Sequence, residues 1–371
     1  MVEVRPVDSA RERRNFIFYP ETIYRDHPVW VPPVYADIGR QIDPRRGDFF
    51  KHSAGRFFLA WRGSEIVGRI AALHNTRHLA AHDDGAGFFG FFECEDDPAT
   101  AAALLRTAED WLRQRGLKVA RGPANFSIQD EAGVLLDGFE HAPMAGMAYT
   151  PPYYRALIEA AGYRKAKDLF VCRIDWPHWN VEQYDRIVAV ASRVASGVTV
   201  RELNMADLPG EAGRLAEVFA EAWRENWGAQ PISQAEFLKY AEQYRLFIDP
   251  RTVLFAEKDG ETLAIMVAIP DMNEIIRRIG GRLFPLGWWH LLTKRKKLKG
   301  IRLFLLGVKT KARQLGLPAL FMINMHALLK ASDYQTLEFS WILEDNQETL
   351  ALVKRLGGNR VQTLRLYDKA L

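Results

Sequence analysis

The stretch GVKTKARQLGLPAL (Gly307–Leu320), followed downstream by SWILEDN (Ser340–Asn346), decides how this chain folds. Ile301–Val308 is an apolar run of strand length. Gly316 then permits a left-handed turn, and Pro318 suits the first turn of a helix over Pro318–Ala331. Leu337, Phe339, Trp341 and Leu343 alternate as a second strand. Asn346–Leu356 reads as a helix closed by Gly357 and Gly358. Strand, turn, helix, strand, helix in this order belongs to the α/β class, with a mixed sheet. A turn that leads into a helix N-terminus presents unpaired N–H groups and partial positive charge to an anion. Lys309, Lys311 and Arg313 add positive charge at that turn.

Working outward, the same order can be read twice. In the first half Val2–Val7, Phe57–Trp61, Glu65–His74, Gly87–Cys94, a segment starting at Val119, and Leu169–Ile174 are predicted strands. Arg62, Gly63 and Ser64 mark a hairpin. Asp97 and Pro98 open a helix to about Arg115, with Ala102, Leu105, Ala108 and Leu112 at helical spacing. Pro151–Ala161 is a further helix stopped by Gly162. After a linking helix, Val181–Ala195, the pattern restarts with strands Val198–Leu203, Thr252–Glu257 and Thr262–Ile269 and helices Asp207–Trp227 and Ser233–Phe247. Val361–Tyr367 is the last strand. An internal duplication explains this repetition, against a single large α/β domain whose elements alternate by chance. It predicts domains at 1–176 and 197–371, a linker helix at 177–196, and an insertion at 271–300 in the second domain. The 371 residues fit two domains at roughly 150 residues each.

Composition narrows the function. Apolar residues make up 48% and charged residues 26%, ordinary globular values. Cys94 and Cys172 are the two cysteines, without metal-ligand spacing, so neither a disulfide scaffold nor a zinc site is expected. Met1–Arg14 lacks the apolar core of a signal peptide, and no run suits a membrane span, so a cytoplasmic location is expected. The net charge of +4 hides an asymmetry. Ile275–Ser332 holds thirteen Lys and Arg and no acidic residue, which leaves the remainder at −9.

Gly307–Leu320 and Ser340–Asn346 resemble the core of the GNAT acyltransferase family. In that family an Arg/Gln-x-x-Gly-x-Gly/Ala turn cradles the pyrophosphate of coenzyme A. Arg313, Gln314, Leu315 and Gly316 fit its first four positions, while Pro318, which has no N–H, departs from its last. The resemblance implies that Leu306, Gly307, Val308, Lys311, Arg313, Gly316, Leu317 and Asn346 meet an acyl-CoA cosubstrate. Backbone N–H groups of Leu306–Val308 would stabilise the tetrahedral oxyanion. Glu344, ending the second strand, is the candidate general base, because an ammonium must lose a proton before its nitrogen attacks a thioester. Glu344 or Asp345 can also serve simply as negative charge at a helix N-terminus, and Asn346 as an N-cap. The family's acid, a tyrosine in the last helix, is replaced by Val353, so Tyr334, Tyr367 or solvent is left to protonate the thiolate.

FFECEDDP (Phe91–Pro98), GPANFSIQDEAGVLLDGFEHAP (Gly122–Pro143) and YTPPYY (Tyr149–Tyr154) extend the resemblance over most of the chain. They are similar to a bacterial group of paired GNAT-like N-acyltransferases, which the bacterial ceramide synthases resemble. Glu95, Asp96 and Asp97 stand where a pyrophosphate would lie in the first copy, and like charges oppose it. That copy is therefore expected to be degenerate. Asn125, Ser127, Asp130 and Glu131 line a substrate cleft or cap turns. Trp223, Asn226 and Trp227 wall the acceptor site or belong to the core, and Trp341 is a further substrate-side candidate. His74, His78 and His82 lie four apart in a polar, loop-like context with no third-ligand signature, so no metal is expected.

Within the insertion, Ile275, Ile276, Ile279 and Leu283 have helical spacing, with Arg277 and Arg278 off that stripe. Trp288 and Trp289 then precede Lys294, Arg295, Lys296 and Lys297. Tryptophan beside clustered cations fits an anionic membrane surface; a surface hairpin packed on its own domain is the plainer alternative. No nucleic-acid-reading motif is present. The expected function is acyl-CoA-dependent N-acylation of a lipid amine such as a sphingoid base, peripherally at the inner membrane. Its rival is an inactive GNAT-fold protein that uses the basic segment to bind a partner or nucleic acid.

Overall fold

The computed structural model describes residues 1–294 and 297–371. They form two compact units. The first comprises Met1–Phe170, Asn273–Leu291 and Gln362–Leu371; the second comprises Val171–Met272 and Leu292–Val361.

In the first unit, β1 (Val2–Pro6), β2 (Ala54–Arg62), β3 (Glu65–His74) and β4 (Ala86–Cys94) are antiparallel neighbours in that order. β5 (Val119–Gly122) lies parallel to β4, and a parallel neighbour requires a crossover. The helix Pro98–Arg113 provides it. Asp97 caps this helix, accepting the N–H groups of Ala99 and Thr100, and Ala101, Leu104, Leu105, Ala108 and Leu112 bury its apolar face. Short β6 (Val134–Asp137) follows, and β7 (Arg164–Asp175) begins in this unit. His74–His82 is not the loop expected from its polarity. Asn75 caps a helix, Thr76–Ala81, and His78 is fully buried with its ring 3.1 Å from Asp84.

The second unit repeats the plan. β8 (Thr199–Glu202), β9 (Val253–Lys258), β10 (Glu261–Pro270) and β11 (Gly300–Val308) are antiparallel neighbours, and β12 (Thr336–Leu343) is parallel to β11. The crossover is the helix Leu317–Ala331, which buries Leu317, Phe321, Met322, Met325, Leu328 and Leu329. The helix Leu208–Ala222 packs Leu215, Val218 and Phe219 against Phe255, Ile265 and Leu305. Ser233 and Glu236 form the expected capping box at the helix Gln234–Tyr244.

The halves of the sequence exchange their last strands. β13 (Asn359–Ala370), from the second half, pairs with β5 from Tyr367–Gly122 to Ala370–Val119. The end of β7, from the first half, joins the second unit beside β12, where Arg173 bonds Glu338 at 2.8 Å and Asp175 accepts from Thr336 at 2.9 Å. The compact units therefore differ from the linear division at 176 and 197. The insertion is also shared: Asn273–Leu291 belongs to the first unit. There Asn273 donates to the Pro143 carbonyl at 2.8 Å and Arg282 bonds Glu21 at 2.7 Å. Gly281 fits tightly, since a Cβ there would lie 2.1 Å from the Pro33 carbonyl oxygen. No helix among the described residues is long and apolar enough to cross a membrane.

Candidate active site

In the second unit the parallel strands part. β11 and β12 pair from Gly300–Thr336 to Leu303–Phe339, and both continue beyond that point. Where pairing ends, the Arg302 guanidinium takes the Ser340 carbonyl at 3.2 Å and the Ser340 hydroxyl at 2.9 Å. Ser340 in turn donates to buried Glu338 at 2.8 Å. A side-chain network thus replaces the backbone ladder. Leu306, Gly307 and Val308 stay paired with Met266, Ile265 and Ala264 of β10. Gly307 lies close under a side chain: a Cβ there would lie 2.2 Å from the Trp223 ring. Trp223 stacks on Phe219, centroids 4.6 Å apart. Asn226 and Trp227 follow it, half-buried, with the Asn226 N–H on the Trp223 carbonyl.

The turn after β11 is braced by carboxylates. Lys309, 3% exposed, bonds Glu217 and Glu261. Lys311 bonds Glu261, whose carboxyl is held down to about 2 by Lys311 and then Lys309. The Thr310 N–H donates to Glu221 at 2.7 Å. Arg313 is exposed. Gly316 adopts the left-handed φ of 62°, and no side chain caps the helix that starts at Leu317.

Glu344 is half-buried at the C-terminal end of β12, and its carbonyl accepts from Gln347 at 2.8 Å. Asn346 caps the next helix through the Thr349 N–H at 3.1 Å. Trp341 is half-buried on β12. The two candidate tyrosines have other partners. Tyr334 precedes the opposite end of β12 and donates to Asp249 at 3.2 Å. Tyr367 is fully buried in the first unit's core, bonded to Glu159 at 3.0 Å, and burial pushes its phenol up.

In the first unit the corresponding gap is filled. Beyond Phe88 and Arg121, where β4 and β5 stop pairing, the chain folds back. The Ala124 N–H reaches the Phe89 carbonyl at 2.8 Å, and Asn125 accepts the Phe91 N–H at 2.7 Å. A Cβ on Gly90 would lie 2.1 Å from the Ala124 carbonyl oxygen, so only glycine fits. Phe91 takes a φ of 48° at this point. The next helix is closed to anions by Asp97, and Arg62 pairs with Asp97 and Glu95.

Three motifs distant in sequence converge beside that gap. Glu93 accepts from Tyr154 at 2.6 Å and Tyr24 at 2.9 Å, with Arg69 3.6 Å away. Burial raises its carboxyl, and burial together with Glu93 keeps both phenols protonated as donors. Asn125 donates to Glu131 at 3.2 Å, and Ser127 to Asp130 at 2.7 Å. Glu131 and Asp130 stand at the surface and are closely surrounded by protein. Burial pushes Glu131 up to about 7 and Asp130 up to about 6. Asn125 was expected from the sequence to line a cleft. Arg69, Glu93 and Tyr24 were missed; for Arg69 and Glu93 the signal available was a lone charge within the apolar strands β3 and β4.

The apolar part of the insertion is exposed. Phe284, Leu286, Trp288, Trp289 and Leu292 are all exposed, Phe284 at 81%, and so are Arg277, Arg278 and Lys297. Arg295, Lys296 and the side chain of Lys294 lie outside the described residues.

A scan against protein-family models finds no match. Among curated proteins, the chain is 36% identical over 382 residues to the bacterial ceramide synthase of Caulobacter vibrioides, covering 100% of this chain and 98% of that one. It is 31% identical over 381 residues to protein YghO of Escherichia coli, covering 99% and 95%. Among solved structures it resembles a tandem GNAT protein from the clavulanic acid biosynthesis pathway, with a TM-score of 0.59, 13% identity, and coverage of 100% and 98%.

Proposed function

The chain belongs to the family of the bacterial ceramide synthase, tandem GNAT-fold N-acyltransferases, and from that premise we propose that it moves an acyl group from a coenzyme A thioester to a lipid amine of the sphingoid-base class. The observation that carries this reading is the parting of β11 and β12 beside an uncapped helix N-terminus. Alternate N–H groups of β11 beyond Leu303 have no β12 neighbour to serve. They are the donors for a thioester carbonyl and for the oxyanion that develops from it. The helix end at Leu317, with exposed Arg313, takes the pyrophosphate.

The chemistry is a nucleophilic acyl transfer. The ammonium gives a proton to Glu344, directly or through water. The amine nitrogen attacks the thioester carbon and a C–N bond forms; the nitrogen then gives its second proton to solvent as the C–S bond breaks. The departing thiolate takes a proton from solvent, since Tyr334 lies at the opposite end of β12 and the Tyr367 hydroxyl is engaged with Glu159.

The exposed segment Phe284–Leu292 supports a lipid acceptor. Apolar side chains standing in water beside Arg277, Arg278 and Lys297 match an anionic bilayer surface. Two measurements test the reading. Purified protein given palmitoyl-CoA and sphinganine should release coenzyme A and form the N-acyl product; neither coenzyme A binding nor turnover would overturn it. Flotation should show binding to vesicles containing phosphatidylglycerol that is lost in a Trp288→Ser, Trp289→Ser double variant. Equal flotation of that variant removes the docking surface.

A further inference from the structure

β11 and β12 both run on past their last pair, Leu303 with Phe339. The same register would next set Phe304 against Ser340. Continued pairing would let β12 carbonyls accept N–H groups of β11. At Ser340 that carbonyl is already taken. Arg302 donates to it at 3.2 Å from Nη2, and to the Ser340 hydroxyl at 2.9 Å from Nε. Ser340 is 2% exposed, and a buried carbonyl must find a donor. Bonds from a charged donor are the stronger ones, so the guanidinium prevails over a neutral amide.

The grip is anchored from the other side of β12. The Ser340 hydroxyl donates to Glu338 at 2.8 Å, and Arg173, near the end of β7, bonds the same buried carboxylate at 2.8 Å. Glu338 would therefore keep a cation if Arg302 were replaced, and no unpaired charge would be left in the sheet. Meanwhile Leu306, Gly307 and Val308 stay in place on β10. One strand is fixed, and its neighbour is held off by a side chain.

We infer that Arg302 is a positioning residue for acyl transfer: by occupying the Ser340 carbonyl it keeps β12 from zipping onto β11, and so leaves N–H groups of β11 beyond Leu303 for the thioester carbonyl. It acts through the two strands and not on the reacting atoms. The inference rests on the thioester reading above and adds what keeps its donors open.

The test combines steady-state kinetics with hydrogen exchange read at single amides of β11 in the full chain. In the wild-type chain, amides of 304–308 that do not bond β10 should exchange rapidly. Arg302→Met should slow their exchange about tenfold as the strands zip. It should also lower kcat about 10²-fold, as loss of an oxyanion donor does, with KM for palmitoyl-CoA unchanged. Arg302→Lys, which keeps a charged donor for the carbonyl, should recover much of both. A merely structural role predicts the reverse, faster exchange along β11 in Arg302→Met. That result, uniformly slow exchange of 304–308 in the wild-type chain, or wild-type kcat in Arg302→Met overturns the inference. A wild-type chain without turnover but with the expected exchange pattern, slowed in Arg302→Met, would instead overturn the thioester reading and leave Arg302 as the residue that parts the strands.

Discussion

Two strand-to-helix turns, one in each unit, have the same place in the fold and opposite chemistry. After β4, Asp97 caps the helix Pro98–Arg113, and Arg62 neutralises Asp97 and Glu95. That helix end satisfies itself and repels an anion. After β11, no side chain caps the helix Leu317–Ala331. Its nearby lysines are nevertheless not free charges: Lys309 and Lys311 are tied to Glu217 and Glu261. Positive residues near an anion-binding turn can therefore serve to stiffen it. The charge that the proposed function gives to the pyrophosphate is the helix end and Arg313.

The largest effect that separates the two turns is on chemistry. Glu344→Gln should lower kcat by about 10² to 10⁴, the range for loss of a general base, with coenzyme A affinity unchanged. Glu95→Gln in the first unit should leave kcat as it is. If Glu344→Gln turns over normally, the chemistry does not run through that residue.

Next comes packing at the two glycines beyond the paired segments. Gly90→Ala drives a methyl into the Ala124 backbone and should destabilise by about 3 kcal/mol or more. Gly307→Ala meets the Trp223 ring, which can turn aside, and should cost about 1 kcal/mol. Urea unfolding measures both. Equal losses would mean that the second-unit strand is as tightly filled as the first.

Smaller changes are expected in cosubstrate affinity and capping. Arg313→Glu should raise KM for acyl-CoA about tenfold, or about 1.4 kcal/mol, whereas Lys311→Ala should barely move it. A Lys311→Ala effect as large as that of Arg313→Glu would show that the lysine meets phosphate after all. Asp97→Ala should remove about 1 kcal/mol of stability through the lost cap without creating a coenzyme site.

Much of this was legible locally. Asp97 and Pro98, Ser233 with Glu236, and the turn at Gly63 signal their elements through neighbours a few residues away. The pairings that define the units were not legible. Nothing in the period of β13 says that it joins β5 rather than a strand of its own half. The sequence does not announce that Lys309 bonds Glu217, far upstream. Nor does it announce that the Trp223 ring lies over Gly307. The first unit's polar network was visible only in part, because Asn125 and Glu131 share a motif while Arg69, Glu93 and Tyr24 arrive on separate elements.

The smallest effect is a pH dependence of the first unit. Glu131 is raised to about 7 by burial, Glu93 and Asp130, against the lowering pull of Arg69 and Asn125. Above the ordinary glutamate range and below about 7, the folded chain holds a proton there that the unfolded chain does not. Stability therefore falls as pH rises through this window, and the penalty is fully present above it. Glu131→Gln should melt like the wild type near pH 5 and higher near pH 8. Because Glu131 is an exposed residue, the rise should stay below the 2–4 °C that about 1 kcal/mol moves a unit of roughly 150–250 residues. Identical pH profiles would show that the carboxylate is not enclosed.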